Sequence, residues 1–135
     1  MSGRAPHVQR LTADVPAVAA GADASTALLE APYAGTVTAV TYTPIANVTG
    51  NTTESRTFTL VNKGADGNGT TVIATRAMTT GVDATDFNED ALTLSAVEGA
   101  TTVAEGDVLA WVSTHVGSTG LADPGGLVQI DVSRT

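Results

Sequence analysis

Few residues in this chain could make or break a covalent bond. It has no cysteine and two histidines, His7 and His115, so a thiolate nucleophile is excluded and general-base work would fall on two imidazoles. Ser113 precedes His115 by two positions, which on a strand puts both side chains on one face. That spacing does not by itself make the nucleophile–base hydrogen bond of a triad, even with Asp131 as a third member. The residue types give an enzyme no positive support, and the expectation is a protein without catalytic activity.

The segment Asp83-Ala-Thr-Asp86-Phe-Asn88-Glu89-Asp90 gathers oxygen donors of the kind a hard cation such as Ca²⁺ prefers. Its spacing does not match an EF-hand loop, and Asp and Asn serve equally well as turn and cap residues on a solvated loop. The turn Gly64-Ala-Asp-Gly-Asn-Gly69 lacks the Lys-Ser/Thr ending of a phosphate loop and reads as a hairpin connection. No metal, cofactor or nucleotide is assigned to either. Asn47, Asn51 and Asn68 each begin an N-x-Thr triplet; without a secretion signal they are read as turn residues and not as glycan acceptors.

Only 15% of the 135 residues are charged, yet the net charge is −8. Such a surface repels phosphate backbones and anionic lipid, so neither nucleic acid nor membrane is an expected partner. No apolar run approaches the ~20 residues that span a bilayer, and Met1 to Leu11 has no signal-peptide apolar core. The expectation is therefore synthesis in the cytoplasm. Hydrophobic residues make up 42% of the chain and aromatics 4%. The apolar residues are mostly Ala and Val, and Thr is spread through nearly every segment. Val and Thr are β-branched and suit a pleated strand.

The strands that would position these residues are expected near 26–31, 36–43, 55–62, 70–78, 91–97, 107–116 and 127–133. Phe58 and Leu60 share one face while Thr57 and Thr59 share the other, the pattern of a half-buried strand. Val128, Ile130 and Val132 repeat it. Between Thr36 and Thr43 the alternation slips, which predicts a bulge near Ala39. In Asp107 to Val116 both faces are apolar: Val108, Ala110 and Val112 lie on one side, Leu109 and Trp111 on the other. One side must be core, and the other is either a central-sheet position or a subunit contact. The fold class is all-β, a small antiparallel sandwich or jelly-roll-like barrel of about seven to eight strands. Residues 1–24, rich in Ala, Pro and Gly and interrupted by Pro6 and Pro16, are expected to form an extended arm, and residues 25–135 the β domain.

The phrases Leu28-Leu-Glu-Ala-Pro-Tyr-Ala-Gly35-Thr-Val, Gly106-Asp-Val-Leu-Ala-Trp111 and Gly120-Leu-Ala-Asp-Pro-Gly-Gly-Leu-Val128 resemble the small head decoration and head fibre proteins of tailed bacteriophages. The resemblance implies a non-enzymatic virion protein on the outer surface of a capsid. It would bind the major capsid protein, often as a homotrimer, and cement neighbouring subunits. On that reading Arg4, His7 and Arg10, in the part of the arm (residues 1–12) that has basic but no acidic side chains, contact the capsid, with loops 44–51 and 117–126 the next candidates, and Leu109 and Trp111 form the subunit contact. The alternative is a carbohydrate- or host-binding β module, for which a sugar would stack on exposed rings. That alternative needs Trp111 at the surface in a groove with Tyr33 or Tyr42.

Overall fold

A computed structural model describes residues 7–135. Ten strands form in chain order: β1 (Val8–Val15), β2 (Ala24–Glu30), β3 (Gly35–Pro44), β4 (Ser55–Asn62), β5 (Thr71–Ala77), β6 (Asp90–Ala91), β7 (Thr93–Leu94), β8 (Thr102–Val103), β9 (Val108–Val116) and β10 (Gly126–Arg134). No helix occurs among the described residues. One sheet runs β1-β10-β3-β6, with β8 also on β3; the other runs β2-β9-β4-β5-β7. Every pairing is antiparallel. The two sheets face each other as a β-sandwich and do not close into a barrel. The expected 91–97 strand is split into the short β6 and β7, and β1 and β8 add two more.

Alternation along each strand decides what is buried. In β4 Phe58 and Leu60 are fully buried, and in β10 Val128, Ile130 and Val132 are. The register of β3 on β10 shifts where Asp131 faces Ala39 and Val132 faces Val37. This bulge lets Val37 and Val40, an odd and an even position, both point into the core. The rings of Tyr42, Phe58 and Trp111 meet at the centre, with centroid separations of 4.8, 5.3 and 5.6 Å.

Two expectations are corrected here. Residues 8–15 of the expected arm form β1, paired in unbroken register with β10 from Val8↔Ser133 to Val15↔Gly126. Pro6 and Pro16 bracket this strand without interrupting it, and Leu11, Ala13 and Val15 turn inward while Arg10, Thr12 and Asp14 are exposed. Val15 and Val18 are buried, so the segment is part of the folded domain and not a detachable handle. Leu109 and Trp111, assigned to a subunit contact, are 0% and 2% exposed within a single chain. Their face of β9 is the core face, and neither side chain has surface left to give a neighbour. Val108, Ala110 and Val112 lie on the opposite face, where flanking β2 and β4 leave Val108 and Val112 half-buried and Ala110 buried.

Candidate functional site: an apolar groove at one end of the sandwich

At the end of the core, the apolar layer gives way to a buried polar one. Arg56 follows the inward alternation of Phe58 and Leu60 and is 0% exposed. Its guanidinium donates to the carbonyls of Leu121 (2.5 Å), Ala19 (3.1 Å) and Ala22 (3.0 Å) and to Ser113 Oγ (2.9 Å). Ser113 in turn donates to Asp123 Oδ2 at 2.9 Å, and Tyr42 donates to Asp123 Oδ1 at 2.6 Å. Burial pushes the Tyr42 hydroxyl far above the ordinary phenol range, and its carboxylate partner adds to the effect. This network ties the segments 16–23 and 118–125 to the core.

The loop around Gly120 has a second tie. Glu54 accepts hydrogen bonds from the backbone N–H groups of Gly120 (2.7 Å) and Thr119 (2.9 Å) and from the Ser118 hydroxyl (2.8 Å). These donors hold its carboxyl at about 2, below its ordinary 4.5. A carboxylate lowered in the folded state stabilises the fold fully above the unfolded value, and the contribution is lost as pH falls from about 4.5 towards 2. Glu54→Gln is therefore expected to melt below the wild type at pH 6, with the gap narrowing as the buffer approaches pH 2. Melting curves across that range check it, and a gap that stays constant would count against it.

Asp123 also positions Gly125, whose N–H donates to Oδ1 at 2.9 Å. Gly125 has φ of +80°, and a side chain there would press within 2.8 Å of the Ala17 nitrogen and 2.9 Å of the Val15 oxygen. Only glycine lets the two segments approach this closely. From the other side, the loop after β3 is laced to the acidic loop. Phe87 N–H donates to Pro44 O (2.8 Å), Asp86 N–H to Asn47 Oδ1 (2.8 Å) and Gly50 N–H to Asp83 Oδ1 (2.8 Å), while Val48 and Ala84 form an antiparallel bridge.

Between these segments lies a groove of about 520 Å³, lined by Val15, Ala17, Ile45, Phe87, Pro124 and Leu127, with Asp14 and Thr43 among its polar members. Ile45 is 57% exposed and Phe87 75%. Phe87 holds φ at +58°, a left-handed conformation that is costly for a bulky residue. The wall is apolar and carries no paired acid and base, so it suits docking and not proton transfer.

The positions singled out by sequence fall as follows. Arg4 lies outside the described residues. His7 is exposed and its carbonyl accepts the Arg134 N–H at 2.8 Å. Arg10 makes a two-pronged contact with Asp131 (2.9 and 3.3 Å) and lies 3.7 Å from Glu89. The triad is not assembled: Ser113 is buried against Asp123 and Arg56, His115 Nδ1 sits 2.7 Å from Asp23, and Asp131 belongs to the other sheet. In the acidic segment, Asp83 binds a backbone amide and Asp90 a guanidinium, that of Arg76 (2.9 and 3.1 Å). No group of three metal-binding side chains converges among the described residues. Asn51 does act as a turn residue, accepting the backbone N–H groups of Thr53 and Glu54, whereas Asn47 accepts the N–H of distant Asp86 and ties two loops together. The two loops held as second candidates, 44–51 and 117–126, do meet at the groove. Sequence reasoning missed Phe87, Arg56 and Asp123. Arg56 sits two positions before Phe58, and that spacing was the available signal.

Comparisons with protein-family models, with curated proteins and with solved structures find no match.

Proposed function

We propose that this protein is a non-enzymatic structural module that decorates the outer surface of a phage capsid and bridges major capsid subunits. The carrying observation is the apolar end of the sandwich, where Ile45 and Phe87 stand exposed beside a groove. Exposed rings over an apolar pocket anchor protein partners, and the resemblance of the sequence phrases to head decoration proteins suggests the class of partner. This reading moves the capsid contact from Arg4, His7 and Arg10 to the groove. The carbohydrate- or host-binding alternative has less support. Of the chain's five aromatic rings, Tyr33, Tyr42, Phe58 and Trp111 are buried and only Phe87 is exposed, which leaves one ring for a sugar to stack on.

Co-sedimentation with empty capsids of the cognate phage tests the proposal, and the wild type is expected on particles at stoichiometric levels. Phe87→Gly removes the anchor at a backbone position glycine tolerates. It should weaken retention about 30-fold or more, a hot-spot-sized loss of ~2 kcal/mol, with no fall in melting temperature. A wild-type protein that never sediments with capsids would sink the capsid reading. A Phe87→Gly variant that sediments unchanged would sink the groove as its contact.

A further inference from the structure

Strand β1 ends its sheet. The Arg134 N–H to His7 carbonyl bond sets the phase of its ladder with β10, so odd residues of β1 bond inward. The backbone groups of Val8, Arg10, Thr12 and Asp14 therefore face away from β10. No proline or bulge interrupts this edge, and its register is continuous over all eight residues. Such an edge is a template for another strand.

We infer that β1 pairs with β1 of a second copy, antiparallel about a two-fold axis at Thr12. Since outward groups occur at even positions, only registers that set even residues against even residues make a ladder. Centring on Arg10 stacks two guanidinium groups, and centring on Leu11 sets each charge against the uncharged Thr12 or Val8. Centring on Thr12 puts Arg10 of each copy opposite Asp14 of the other, giving two opposite-charge pairs. Asp14 forms no ion pair with another described residue, and it is the carboxylate this register brings to Arg10. On the inner face the same register sets half-buried Leu11 against Ala13 of the second copy, extending the core seam. The interface is isologous, as a two-fold requires.

The pairing is independent of the capsid reading and replaces the homotrimer that the resemblance implies. It has one consequence that rests on that reading. An antiparallel in-sheet two-fold reverses strand direction, so the two Ile45–Phe87 grooves lie at opposite ends of the dimer, and a bridging protein gains avidity from two linked, separated contacts.

Sedimentation equilibrium of the full chain from micromolar to sub-millimolar concentration should reach twice the 13.5 kDa chain mass. Thr12→Pro removes an outward amide without touching the β10 ladder and should give a folded monomer by circular dichroism. Asp14→Lys, which sets two cations together, should shift the dimer to at least tenfold higher concentration. The chain has no cysteine, so single thiols report the register. Thr12→Cys should oxidise to a covalent dimer, since facing Cα atoms lie about 5.5 Å apart in such a pair, within the disulfide range. Val8→Cys, some 26 Å from its mate in this register, should not. A wild type that stays monomeric or forms trimers would overturn the inference, as would equal cross-linking at both thiols.

Discussion

Arg56→Ala is expected to cost the fold about 3–5 kcal/mol, the size of effect seen when one partner of a buried charge network is removed. The side chain is fully buried and four of its hydrogen bonds are accounted for, three of them to loop carbonyls. Truncation strands those carbonyls and leaves the carboxylate of Asp123, 2% exposed, without the cation that reaches it through Ser113. Against a typical total of ~5–15 kcal/mol, this is a large fraction, and a melting temperature lower by roughly 10–20 °C follows. The test is a double-mutant cycle by chemical denaturation. Arg56→Met combined with Asp123→Asn should be less destabilised than the sum of the two single changes, because the second substitution removes the uncompensated charge. Additive losses would show that the two groups do not communicate. By the same contacts, trimming residues 16–23 is expected to destabilise the fold, since the carbonyls of Ala19 and Ala22 are acceptors for Arg56.

Trp111→Ala should also cost about 3–5 kcal/mol, as deletion of a large buried ring does. Trp111 stacks on Phe58 with planes 20° apart and tilts against Tyr42, so alanine would leave a cavity between the sheets. Trp111→Phe should cost much less. It keeps most of the ring contacts, and the indole N–H it removes has no acceptor among the described residues. The outcome separates a core role from an interface role. Folded Trp111→Ala protein, isolated below its melting point, should have the mass of the wild type, because no part of the ring is offered to a neighbour. A variant with normal melting temperature and altered assembly would return Trp111 to a subunit contact.

Both predictions concern residues that sequence pattern places only in part. The period-two alternation of β4, β9 and β10 and the slip in β3 were legible, because side chains alternate strictly across a pleat and a misplaced apolar residue betrays a bulge. Turn chemistry at Gly64 to Gly69 and the turn role of Asn51 were equally local. What alternation cannot say is which of two apolar faces is core. In β9 both faces qualified by composition, and the choice fell to Leu109 and Trp111 only because the second sheet brings Tyr42 against Trp111 and closes over that side.

By itself the sequence determined an all-β chain with acidic character, since those follow from residue type and short-range spacing. The tertiary structure decided the rest. It made a strand of residues 8–15, whose weak alternation with small Ala13 and charged neighbours becomes favourable only when β10 supplies a ladder. It joined Arg56, Ser113, Asp123 and Tyr42, which come from four separate segments of the chain. It also brought Ile45, Phe87 and Pro124 to one groove. Loops distant in sequence have no periodicity that relates them, and only the sheet register sets where their ends meet.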